Sequence, residues 1–557
     1  MQSIFSKNFW HPFVTGFATL SLGALAVSVP AVAQEPGLDA GVFFFPGNLV
    51  VTRSLYDNKA DNVKVGALLA PNCANTATSS GTPCVAATNN GKYPEVFNNV
   101  LVDASFGITS KIFLDQITPS GFLLDSLEVP NSSLPFVGSE SNQLVTSFSS
   151  KSEIALNLST DGKFLTFMGY VAPINTIDAS NSNTPGVIDP TNPVGVNFYR
   201  AVATVNHAGK FTFTETNAYS GNNGRAAILN NTGGVNAFYT AGNAGNGNNP
   251  QPNGVVLGAG AQFIEPSPAP ESFQTPVAPT PLASFSVTEL GDKADKIGKD
   301  DNFRGLTIFN NVVYYTKGSG SNGVDTVYFV DTTGTACPKG VGVPAVGAPL
   351  PISPLSVNLS TLQTAGLSNN MCILAGFPTV LAKTATAPAA PFGLFFANAD
   401  TLYVADEGDD FSSDTTLYTH AAAQTTAGIQ KWIFNSTTQT WNLAYTLQNG
   451  LDLGVPYTVN GYPTGTNSAT NLPWSPATDG VRNIAGTVEN GKVTIYGITS
   501  TVSGGGDQGA DPNRLVAVTD TLTNTDATKA AKEKFTIVRK ADFAEVLRGV
   551  SFAPGTK

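Results

Sequence analysis

Apolar and polar positions alternate along most of this chain. Short runs of β-branched and aromatic residues are separated by Gly, Asn and Asp, and almost no stretch carries a helical period. The clearest case is Ser152–Tyr170, SEIALNLSTDGKFLTFMGY: an apolar run, an Asp161-Gly162 pair, a second apolar run. Asp-Gly in that setting predicts a tight hairpin, because Gly tolerates the positive φ that the turn needs. Similar hairpins are predicted over Phe198–Asn217, turning at Ala208-Gly209, and from Arg225, Arg304, Phe392 and Arg482 onward. Arg548–Pro554 reads as half a hairpin, and Gly47–Asn58 as a strand without a partner.

These patterns predict an all-β fold, a single β-propeller. Repeat starts near residues 153, 225, 304, 392, 482 and 548 give six blades. Seven is the alternative, with the extra blade hidden in Lys111–Val129 or Ala261–Thr288. A repeat interval this long requires extended loops on each blade. The half unit at the C-terminus and the lone N-terminal strand together complete one blade. The ring is therefore expected to close by pairing its two ends, which removes the exposed sheet edges.

The first residues change the picture at one end. Lys7, the apolar stretch Phe13–Val29 and Ala31-Val32-Ala33 have the order of a secretory signal, placing a leader over residues 1–33 and the propeller over 34–557. No later run is apolar enough to span a membrane, so a secreted or periplasmic monomer is expected. Four cysteines suit that compartment. Of three possible connectivities, Cys73–Cys84 and Cys337–Cys372 are favoured, each closing a Gly/Pro/Thr-rich insertion, near 61–93 and 335–390. Charged residues make up 12% of the chain, and the net charge is −11, which excludes a nucleic-acid binder for lack of a basic stripe. With 34 Phe and 15 Tyr the chain is too aromatic to be disordered.

Aligning the repeats on their turns brings Glu153, Arg225, Arg304, Phe392, Arg482 and Arg548 into one register, at the start of each innermost strand. The expectation is a ring around the channel mouth. Four guanidinium forks in an acidic protein suit a small anionic ligand, carboxylate or phosphate. The alternative role is structural, each arginine bonding a carbonyl or carboxylate of the neighbouring blade. A second cluster, Asp406, Glu407, Asp409 and Asp410 with Asp414 beyond, follows a predicted strand. Its carboxylates suit Ca²⁺, a hard cation that takes six to eight oxygens, or else form a solvated acidic loop. Gly504–Asn513, with Asp507 and Asp511, is a similar loop. No G-x-S-x-G elbow is present, and among three histidines His207 reads as a turn residue and His420 as part of a polar loop.

LNLSTDGKFLTFMGY resembles the hairpin of TolB-like propellers. ADTLYVADEG resembles a strand of NHL and gluconolactonase-like six-bladed propellers. The latter resemblance implies a Glu, an Asn and an Asp holding a metal around the channel. Three classes of function follow. The first is a binding or surface-interaction protein whose partner is a small anion, another envelope or extracellular protein, or a glycan. The second is a Ca²⁺-type metal-dependent hydrolase, lactonase or phosphoesterase. The third, implied by the TolB resemblance, is an envelope-assembly component.

Overall fold

The hairpins predicted from Ser152, Arg225, Arg304, Phe392 and Arg482 become the inner pairs of strands of their sheets, whereas that over Phe198–Asn217 becomes an outer pair. Six sheets are present among the described residues, antiparallel but for one short parallel pairing between Val341–Gly342 and Met371–Leu374. The computed structural model describes residues 43–62, 93, 107–134, 143–148, 152–177, 179–185, 197–216, 218–243, 260–266, 282–284, 302–319, 323–337, 339–348, 350, 371–385, 389–468, 470–505 and 508–556. The leader over 1–33 and the Cys73–Cys84 pair lie outside these residues. The described residues belong to one compact unit, Ala33–Lys557.

Blade 1 joins the two ends of the chain. Its innermost strand is Glu545–Phe552, followed outward by Leu49–Leu55, Thr109–Ile117 and Leu123–Glu128. Leu49 faces Phe552 and Leu55 faces Glu545 across the closing seam. Blade 2 runs outward from Asn157–Leu158 through Phe164–Tyr170 and Arg200–Asn206 to Phe211–Thr216. Blade 3 begins at Gly224–Asn230, blade 4 at Phe303–Phe309, blade 5 at Pro391–Asn398 and blade 6 at Ala477–Glu489. The segments Lys111–Val129 and Ala261–Thr288, where a seventh blade could have hidden, supply outer strands to blades 1 and 3.

Alternation decides how the sheets pack. Each strand turns one set of side chains toward the blade before it and the other toward the blade after. Leu49, Val51, Ile498, Leu515 and Val550 fill the space between blades 6 and 1, and Leu165, Phe167, Ile112 and Leu114 that between blades 1 and 2. Burying such a side chain contributes about 1.5–3 kcal/mol. The hairpin turns gather at the opposite end of the blades from the inner-strand starts. In blades 4 and 6 they are Asn310-Asn311 and Asn490-Gly491, all four at positive φ between 47° and 74°. That is the primed turn geometry whose twist matches the strands it joins.

One predicted strand is shorter than its pattern. The apolar run from Ser152 becomes a strand only at Asn157–Leu158. Ile154, a β-branched residue, sits at φ 51°, which interrupts the extended backbone. Its carbonyl accepts a hydrogen bond from Thr52 Oγ1 of blade 1 at 2.8 Å.

The second disulfide is present. Cys337 bonds Cys372, and Cys372 lies on Met371–Leu374, a strand of blade 4, so the bridge ties the insertion to the sheet itself.

Candidate functional site

Of the six residues brought into register by the repeats, Arg225, Arg304 and Phe392 are second in their innermost strands, Arg548 is fourth and Arg482 sixth in theirs, and Glu153 precedes its strand; all are buried, between 1% and 5% exposed. Five of them occupy a common irregularity. The ladder between first and second strands skips at Arg225, Arg304, Phe392, Arg482 and Arg548. Such bulges bend the strand and re-aim the side chain. The next residue is glycine in three blades. A Cβ at Gly393 would stand 2.6 Å from the Arg482 carbonyl oxygen, and one at Gly549 would stand 2.5 Å from the Leu156 nitrogen. Only a residue without a side chain lets the following blade approach that closely.

Their polar atoms link each blade to the next. Arg548 of blade 1 donates to the Phe148 carbonyl, just ahead of blade 2. Glu153 of blade 2 accepts from Asn223 Nδ2 at the threshold of blade 3, at 3.5 Å. Arg225 of blade 3 donates to Asn302 Oδ1, and to the Phe303 carbonyl of blade 4 at 3.0 Å. Arg304 of blade 4 stands 3.5 Å from Glu407 Oε1, at the end of a blade 5 strand. Arg482 of blade 6 donates through Nε to the other oxygen of Glu407 at 3.0 Å. Asn483 Oδ1 accepts from the Val550 amide of blade 1 at 2.6 Å and closes the circuit. Arg304 also donates to Ser152 Oγ, reaching past blade 3 to blade 2. Phe392 takes part through its backbone, its carbonyl accepting from Thr316 Oγ1 at 2.6 Å.

The arginines are therefore placed as ties between blades. Glu153 is engaged on both oxygens, by Thr146 Oγ1 at 2.7 Å, by the Ser147 amide at 2.9 Å and by the Tyr170 hydroxyl. Within the ring, Arg304 Nε and Arg482 Nη2 are buried N–H groups with no hydrogen-bond partner among the described residues.

An aromatic cluster packs at this end of the ring. Tyr93 contacts Tyr56, Phe148, Tyr462 and Phe543, with ring centroids 4.9–5.7 Å apart. Its hydroxyl donates to the Ala510 carbonyl, and that of Tyr462 to Asp511 Oδ1, both at 2.5 Å. Burial pushes the Asp511 carboxyl up to about 6, and that of Asp406 likewise to about 6.

The acidic loop is divided among different partners. Asp406 accepts from the amides of Ala390 and Gly408 and from Gln430 Nε2. Glu407 belongs to the arginine circuit. Asp409 pairs with His420 Nδ1 at 2.9 Å and accepts from Gln424 Nε2 at 3.1 Å, while the Asp410 amide donates to Asp479 Oδ2. Asp406, Glu407 and Asp409 thus accept from different protein donors, and Gln424 Nε2 bridges Asp409 to Asp479 Oδ1. Among the described residues, Asp331, Cys337 and Cys372 are close enough together to share an ion. There the sulfurs form the disulfide, and Asp331 accepts from Thr333 and the Ala336 amide.

The chain matches no protein-family model and no curated protein. Among solved structures it is similar to a PL25 polysaccharide lyase, an ulvan lyase, at 10% identity, over 78% of this chain and 88% of that one, with a TM-score of 0.31. It is similar to extracellular domains 1-2 of Drosophila Semaphorin 1a at 10% identity, over 76% and 85%, with a TM-score of 0.26. It is also similar to an exo-beta-1,3-galactanase from Phanerochaete chrysosporium at 10% identity, over 89% and 96%, with a TM-score of 0.24. Likenesses this weak carry no statement about activity. The propeller rests on the strand order of the six sheets. Among the described residues no helix is long and apolar enough to cross a membrane.

Sequence reasoning missed Glu407, Ser152, Asn302 and Asn483 as members of the axial circuit. Three of these neighbour a ring residue in the chain: Ser152 precedes Glu153, Asn302 lies two before Arg304, and Asn483 follows Arg482. That adjacency was the available signal. Glu407 has no such neighbour and was grouped with the acidic run around it.

Proposed function

We propose that this chain is a secreted binding or surface-interaction propeller, a rigid ring offering its loop end to an extracellular or envelope protein or to a glycan. The observation behind this reading is the closed circuit of inter-blade bonds. Glu153 and Glu407, the ring carboxylates that could serve as acid or base, are both engaged by protein donors. Hydrogen-bonded networks of this kind rigidify the core they cross. Screening the purified protein against a glycan array and against envelope fractions tests the proposal. Turnover of a lactone or phosphoester that Glu407→Gln abolishes in a folded variant would overturn it in favour of the hydrolase.

A small anion at the axis is the second reading. It is supported by the unpartnered Arg304 Nε and Arg482 Nη2. A buried guanidinium N–H without an acceptor is costly, and an anion or an ordered water would relieve it. Melting curves in chloride, sulfate and phosphate at fixed ionic strength distinguish the two. An anion-dependent rise, lost in Arg482→Gln, supports the anion; equal curves remove it.

A further inference from the structure

Far from the arginine circuit, between the outer halves of blades 5 and 6, a lysine is completely buried. Lys431 lies on Gly428–Asn435, and its ammonium is surrounded by oxygen. Asp520 Oδ2 is at 2.9 Å, as are the carbonyls of Thr521, Leu522 and Asn524, and the Tyr445 hydroxyl is at 3.1 Å. The rings of Tyr403 and Tyr445 flank it at 5.6 and 5.4 Å.

An ammonium has three protons to donate, and five oxygens stand within reach. Three are backbone carbonyls of one turn, converging on a single point. That is how a protein replaces the water shell of a bare cation, with dipoles arranged around a sphere. The distances exceed the roughly 2.3–2.6 Å that Ca²⁺ takes. Asp520 faces the ammonium, and the Glu533 carboxyl is hydrogen-bonded to Asp520 behind it. The cage also borders an opening. Thr521 and Asn524 line a cleft of about 290 Å³ together with Thr523, Thr525, Asp526, Lys529 and Glu533. An ion could enter by that route.

We propose that the junction of blades 5 and 6 is a monovalent-cation site, of a size for potassium or ammonium, which the chain fills with its own Lys431. The tethered charge holds the turn after Thr521 of blade 6 against blade 5. Once the ammonium is removed, a free cation takes its place.

The test is Lys431→Met, which keeps the apolar stem and removes the charge. Unfolding and refolding from urea are followed in potassium, ammonium, sodium and choline chlorides at equal ionic strength. Potassium or ammonium is expected to raise the melting temperature of the variant by about 2–4 °C over choline, or to be required for refolding. The wild type is expected to respond equally to all four salts. The added substitution Asp520→Asn is expected to abolish the response. Equal behaviour of Lys431→Met in potassium and choline, failure to refold in any salt, or the same potassium shift in the wild type would each overturn the proposal.

Discussion

Arg482 Nε lies 3.0 Å from Glu407 Oε2, and the other oxygen of that carboxylate faces Arg304 Nη2 at 3.5 Å. One buried carboxylate thus serves two arginines and couples blades 4, 5 and 6. Removing one member of such a network leaves a charge in low dielectric without its counterion, at a cost of about 3–5 kcal/mol. Glu407→Gln is expected to lower stability by that order, more than either Arg304→Ala or Arg482→Ala alone. Urea denaturation of the three variants checks the order. A neutral Glu407→Gln would mean that the circuit does not stabilise the ring.

Close approach at the ring should be as sensitive as charge. A side chain at Gly393 meets the Arg482 carbonyl oxygen and, at 2.8 Å, the Ile484 nitrogen, both backbone atoms of the next blade. Gly393→Val is expected to cost about 3 kcal/mol, because backbone cannot rotate away as a side chain can. Gly347→Val is the control, since nothing lies within 4 Å of its Cβ position. A strain difference at φ 74° remains at that control, so the comparison sets a lower bound on the packing effect. Paired thermal melts measure it.

Stability should peak in mild acid. Burial raises Asp406 and Asp511 to about 6, so the folded state holds protons that the unfolded chain gives up near 4. Stability is therefore lost as pH rises from about 4 through 6, on the order of 3 kcal/mol for each fully buried carboxyl. Asp161 and Asp331 are shifted the other way by hydrogen bonds to their ionised forms, and their contribution is lost as pH falls below the ordinary carboxyl range. Melting temperatures across pH 3 to 8 are expected to pass through a maximum between these limits, at about pH 4–5. In Asp511→Asn the fall on the alkaline side should flatten. A profile that rises steadily to pH 8 would contradict the assignment.

Reduction should loosen blade 4 before the rest. The Cys337–Cys372 bridge closes a separation of 35 residues, worth about 4 kcal/mol on the chain-entropy account. Cys337→Ser is expected to speed hydrogen exchange at Met371–Leu374 and at its ladder partner Thr326–Val330, and to leave blade 1 protected. Exchange followed by mass spectrometry locates the change. Uniform acceleration across all blades would instead mean that the ring opens as one unit.

The sequence by itself determined the β class, most strands and turns, and the pairing of Leu49–Leu55 with the C-terminal half unit near Arg548–Pro554, while six blades against seven stayed open until the sheets were in view. Those properties follow from alternation and turn chemistry, which are local, and from counting repeats. The repeat register also brought Arg225, Arg304, Arg482 and Arg548 to equivalent places. Only the tertiary structure decided what they do there. Whether an arginine faces solvent or a neighbour's carbonyl depends on how near the next blade comes, and the bulges and small residues that set that distance act between segments about 70–90 residues apart. Glu407 shows the limit most plainly. In the chain it belongs to a run of acids, and in the fold it belongs to two arginines from other blades. Its chemistry is set by what the ring brings against it, and spacing along the chain carries no record of that.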